Sequence, residues 1–140
     1  MKIIIPARKG SKGLPGKNRI LIDHTLSTIP NYIKDSVIIT TNDGQIVQEC
    51  IGYKTRLRSE QLSGDDVSTK DVLRDVIKKY NIGDEEIVIM LYLNYPERTW
   101  NDIEEALNFF IENKAKSLLC RTDVTYTNHR SHETDATLVY

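Results

Sequence analysis

Arg8, Lys9, Lys12 and Lys17 lie close together in the chain, interleaved with Gly10, Gly13 and Gly16. Glycines permit tight turns and let backbone N–H groups approach a ligand, while the four cations add charge. Together they make an anion site, and the natural anion is a phosphate or diphosphate. The plain alternative is a solvated basic loop, in which three glycines beside a strand would be costly with nothing close to them. The stretch GSKGLPGKN is not a Walker A loop, because Gly10, Gly16 and Lys17 are one residue off the required spacing and Asn18 follows them. It contains no GxGxxG fingerprint either.

The loop follows residues 2–6, a short run apolar on both faces, as a central strand of a parallel sheet should be. In such a sheet ligands bind beyond the carboxyl ends of the strands. Spacing predicts a helix over 20–33 carrying Ile22, Leu26, Ile29 and Ile33, with Pro30 kinking or ending it. A β-branched strand over 36–41 runs into the turn Asn42-Asp43-Gly44, then a short helix over 45–50 that Gly52 ends. A more exposed strand is expected over 53–58 and a loop over 61–66. Ser68, with Asp71 three residues on, predicts the capped start of a helix running to Tyr80. Residues 86–93 form the most hydrophobic segment and are expected to be a central strand, and an amphipathic helix over 100–113 has acidic Asp102, Glu104 and Glu105 early, where the helix dipole favours them. A strand over 115–120 follows. The polar stretch 121–140 departs from this pattern and ends in a strand candidate over 136–140, expected to add an edge or to continue into something further. Strand and helix alternate with short connections, which predicts one α/β domain over 1–140 with a mostly parallel sheet.

Bulk properties narrow the field. The 140 residues are 39% hydrophobic and 28% charged, as in an ordinary globular protein. A formal charge of −1 gives no reason to expect a nucleic-acid or membrane-surface partner. No run is long enough to span a bilayer, and no signal peptide is expected, since Arg8 and Lys9 interrupt the first apolar stretch. Cys50 and Cys120 have neither metal-type nor redox-type spacing and read as buried free thiols in a reducing cytoplasm.

Four blocks then carry a resemblance. IIPARKGSKGLPGKN is similar to the N-terminal signature of the acylneuraminate cytidylyltransferase (CMP-sugar synthetase) family. VIITTND, LRSEQLSGDDVST and MLYLNYPERTWNDIEEAL resemble the blocks that follow it there, in the same order. The likeness covers roughly residues 3–120, the N-terminal half of the family pattern. It implies a three-layer, Rossmann-like fold of the nucleotide-diphospho-sugar transferase type, in shortened form. It also implies transfer of CMP from CTP to a sugar acid with release of pyrophosphate, and a possible homodimer as assembly. By the same resemblance Arg8 and Lys17 match the loop cations acting on the phosphates. Ser11, Lys12 and Gly13 would line the phosphate cradle, and Asn18 would lie near nucleotide and metal. Arg58 matches an arginine near the cytosine, and Ser68 a nucleotide contact or simply a helix cap. Asp43 would face the cleft or serve only as a turn former. Arg98 and Thr99 keep the family's Arg-Thr.

Two departures stand out. Tyr92 replaces a glutamine that helps to recognise the acidic sugar in the family, and Glu97 adds negative charge beside it. The family's Asp-x-Asp carboxylates, which hold Mg²⁺, have no counterpart here, and Asp123, Glu133 and Asp135 lie in no matching context. Three readings follow: the N-terminal part of a longer enzyme, a nucleotide- or sugar-nucleotide-binding homologue without turnover, or a short active transferase drawing metal ligands from Asp43, Asp65 or Asp66. A self-associating module using a sheet edge at 136–140 is a further alternative.

Overall fold

The computed structural model describes residues 1–9, 17–64, 67–120, 126–127 and 137–139. Three isoleucines make the first strand, β1 (Lys2–Ala7), and leave it no solvent face: Ile3, Ile5 and Ala7 are buried on one side and Ile4 on the other. β2 (Val37–Thr41), β-branched at every position, is buried throughout and pairs with β1 in parallel, Ile4 opposite Ile38. β3 (Lys54–Leu57) is half exposed and closes that side of the sheet. β4 (Val88–Met90) lies on the other side of β1, also parallel.

The helices divide between the two faces. α1 (Lys17–Thr28), α2 (Gly44–Glu49) and α4 (Trp100–Glu112) bury Ile22, Ile46, Ile103, Ala106 and Phe110 against the odd-numbered side chains of β1. α3 (Thr69–Tyr80) sets Leu73 and Val76 against Ile4, Ile38, Val88 and Met90 on the opposite face. The molecule is thus a three-layer α/β fold. Among the described residues no helix is long and apolar enough to cross a membrane.

Local chemistry explains most boundaries. Ser68 Oγ accepts the Asp71 N–H at 3.2 Å, and Asn81 ends α3 in the left-handed conformation, φ 52°. Thr99 and Asp102 form a reciprocal capping box at the start of α4. Gly52 turns at φ 99°, where a Cβ would come 3.0 Å from Lys34 Nζ. The helix expected over 20–33 is shifted: α1 begins at Lys17 and stops at Thr28, since Pro30 disfavours helical backbone at Ile29, and a separate 3-10 turn covers Asn31–Ser36. The strand expected over 86–93 shrinks to β4, although Leu91 N–H still bonds the Ile4 carbonyl at 3.0 Å. Cys50 is buried and free, and burial, followed by Asp23 and Glu49, pushes its thiol up to about 11. The side chain of Cys120 lies outside the described residues.

The end of the chain corrects an expectation. β5 (Ser117–Cys120) is followed by β6 (Tyr126–Thr127), which pairs with it antiparallel, and by β7 (Thr137–Val139). The strand order is β3-β2-β1-β4-β7-β5-β6, so β7 is an interior strand, parallel to both β4 and β5, and not an edge. The physical reason is the unpaired hydrogen-bonding rim that β4 presents beyond β1. The α4 crossover sets β5 one strand further out, and the returning chain fills the space between.

Candidate functional site

The strand order turns at β1. The chain runs outward from β1 to β2 and β3, then crosses back through α3 to β4 on the far side of β1. At such a switch point the loops at the carboxyl ends of neighbouring strands diverge and leave a crevice. A cleft of about 290 Å³ lies there, with walls from all three strand ends. β1 and α1 supply Pro6, Arg8 and Asn18; the β3–α3 connection supplies Arg58, Leu62 and Gly64; the segment after β4 supplies Tyr92 and Asn94.

Arg58 dominates the chemistry. Its backbone N–H continues the β2–β3 pairing by bonding the Thr41 carbonyl at 2.7 Å, which fixes the side chain at the head of the cleft. The residue is only 8% exposed. One terminal nitrogen, Nη1, donates to the Leu62 carbonyl at 3.2 Å, while Nε and Nη2 have no hydrogen-bond partner among the described residues. Burial, followed by the neighbouring Arg8 charge, pulls the guanidinium below its ordinary range, with Asp75 opposing. Asp75 is itself engaged by Arg56 at 3.0 and 3.1 Å. A buried cation with unmet donors costs roughly 1–3 kcal/mol per unsatisfied group. An acceptor-rich anion entering the cleft would remove that cost.

The other expected site residues fall into three groups. Arg8, Asn18 and Tyr92 line the cleft with Arg58. Asn18 Nδ2 also donates to the Arg8 carbonyl, joining the first two. Asp43 and Ser68 are not among the lining residues. Asp43 caps α2 through Oδ1 on the Gln45 N–H, pairs through Oδ2 with Arg19 Nε at 3.1 Å, and is 5% exposed. Burial alone would raise its pKa, but the Arg19 and Gln45 hydrogen bonds and the Arg19 and Lys9 charges hold it below the usual carboxylate value. Ser68 caps α3, and its neighbours Val67 and Thr69 reach the cleft. Ser11, Lys12, Gly13 and the Lys17 side chain lie outside the described residues. Sequence reasoning did not single out Leu62, Gly64 and Asn94, although Leu62 and Gly64 lie in the block LRSEQLSGDDVST and Asn94 in MLYLNYPERTWNDIEEAL.

The described residues do not fit a magnesium site. No group of three metal-type side chains is found among them, those that line the cleft include no carboxylate, and both oxygens of Asp43 are engaged. Asp65 and Asp66 lie outside the described residues.

Fold and cleft together define an α/β protein with an arginine-lined crevice at the switch point of a parallel sheet. Comparison with known proteins agrees and is narrower. The family model described as Cytidylyltransferase matches residues 2–132, and the chain belongs to that family. It is 29% identical to a pseudaminic acid cytidylyltransferase of Campylobacter jejuni, an alignment covering 91% of this chain and 60% of that one. It is 31% identical to an N-acylneuraminate cytidylyltransferase of Escherichia coli, covering 91% of this chain and 32% of the relative. Among solved structures, a CMP:2-keto-3-deoxy-manno-octonic acid synthetase complexed with CTP superposes with a TM-score of 0.61 at 26% identity, over 85% of this chain and 51% of that one. The chain therefore spans between about a third and three fifths of these relatives.

Proposed function

We propose that the cleft binds CTP and that the chain supplies the nucleotide side of a transfer of CMP to a sugar acid, with release of pyrophosphate. The observation that carries this reading is Arg58, buried at the switch point with two of its nitrogens unpaired among the described residues and Arg8 beside it. Its donors suit the carbonyl and ring nitrogen of a pyrimidine or the oxygens of a phosphate. The basic glycine-rich segment that follows Arg8 adds cations for the triphosphate, with Lys17 the foremost of them. In such a transfer an oxygen of the sugar attacks the α-phosphorus, the bond to the β-phosphate oxygen breaks, and pyrophosphate leaves. Positioning and charge neutralisation supply most of the catalysis. Magnesium enters this reading only as a companion of the triphosphate, since the described residues offer no set to hold it.

The test is pyrophosphate release from CTP with Mg²⁺ and a panel of acidic and neutral sugars, alongside CTP titration by calorimetry. Release that Lys17→Ala abolishes is the expected result. A second reading, binding without turnover, is favoured by the absence of carboxylates among the described residues that line the cleft. It is distinguished by CTP binding and a raised melting temperature without release. A chain that neither binds CTP nor releases pyrophosphate overturns both.

A further inference from the structure

The β1–α1 wall of the cleft is anchored from behind by the turn that follows β2. Asn42 Oδ1 accepts the backbone N–H of Lys9 at 2.6 Å, directly after the cleft residue Arg8. Asp43 Oδ2 accepts from Arg19 Nε at 3.1 Å, directly after the cleft residue Asn18. Asn18 in turn donates to the Arg8 carbonyl, so the two cleft residues are tied to each other between two outer anchors. None of Asn42, Asp43 and Arg19 lines the cleft.

These contacts exceed what the turn itself needs. The cap of α2 uses Asp43 Oδ1, and the Asp43 N–H is met by Thr41 Oγ1 at 3.0 Å. Asn42 Oδ1 and Asp43 Oδ2 reach instead across 33 and 24 residues of sequence. Adjacent side chains of one turn thus grip the backbone on one flank of the wall and a guanidinium on the other.

We infer that Asn42 and the Arg19–Asp43 ion pair are positioning residues for the cleft, holding Arg8 and Asn18 where a bound nucleotide requires them. The inference rests on reading the cleft as a nucleotide site. A preorganised wall spares the ligand the ordering of these groups, so loosening either anchor weakens binding without dismantling the sheet.

Asp43→Asn keeps an oxygen for the Gln45 N–H and sets an amide NH2, neutral and unable to accept, opposite Arg19 Nε; Asn42→Ala removes the other anchor. In the full chain each is expected to weaken CTP binding by about tenfold or more, while the fold survives with a modestly lower melting temperature. Arg19→Lys should retain part of the affinity that Arg19→Gln loses, and Asp43→Asn added to Arg19→Gln should cost no further affinity. A merely structural role would lower the melting temperature and leave CTP affinity, measured well below melting, at the wild-type value; that result overturns the inference. A wild-type chain that binds no CTP overturns the nucleotide reading instead. The positioning claim is then decided by the side-chain amide NMR signals of Asn18, which must move in both single variants, and unchanged signals overturn it.

Discussion

A single arginine sets the terms at the residue scale. Arg58 is held in a place that suits a ligand better than it suits the empty protein, since only one of its nitrogens has a described partner that the fold provides. Replacing a poorly satisfied buried charge by an apolar side chain of similar length is often neutral or stabilising. Arg58→Met should therefore leave the melting temperature unchanged or raise it by a few degrees. The same variant should weaken CTP binding at least about tenfold, read by calorimetry on the same sample. A variant that melts much lower would show that Arg58 serves the fold and not a ligand. Part of this was legible: the resemblance singled out Arg58, Arg8, Asn18 and Tyr92, and the fold gathers all four in one cleft. The role of Asp43 was not legible, because a local turn cannot announce a partner 24 residues away.

Among the elements, the β2–α2 turn couples the protein to pH. Asp43 has a folded-state pKa held below its ordinary value despite burial, by Arg19, Gln45 and Lys9. Such a group contributes stability that is present above the unfolded pKa and is lost as pH falls through the folded one. The stability gap between wild type and Asp43→Asn should therefore be constant from neutral pH down to about pH 4 and close below it. Urea unfolding across that range checks this, and a gap that does not narrow in acid would assign the pairing no part in stability. Caps could be read directly, as Ser68 and Thr99 show, because each acts on its own next turn. The start of α1 could not: its first residues, Lys17, Asn18 and Arg19, carry no apolar pattern, and contacts to Arg8 and Asp43 hold two of them in place.

For the whole molecule, the central question is where β7 goes. Apolar runs identified β1, β2, β4 and β5 and gave no sign of β6, but strand order is a long-range property that no local pattern specifies, and the edge expected at 136–140 is an interior position. The difference reverses a prediction. An edge strand that mediated self-association would, on removal, leave a better-behaved monomer. An interior strand, on removal, exposes the rims of both β4 and β5. A chain truncated after Thr134 should therefore scatter more light than the full chain and melt at lower temperature. Unchanged scattering and melting would place β7 outside the cooperative fold.

The same strand carries a consequence for synthesis. Val88 pairs with Thr137, so β4 must wait for 49 further residues before its outer rim is covered. At a translation rate of roughly 5–20 residues per second, that wait lasts on the order of 2–10 s. The residues that line the cleft, the last of them Asn94, are complete in sequence well before then. A newborn chain thus passes through a period in which its cleft strands are all available while an adhesive edge stands open, and a nucleotide already present could bind and steady it through that interval.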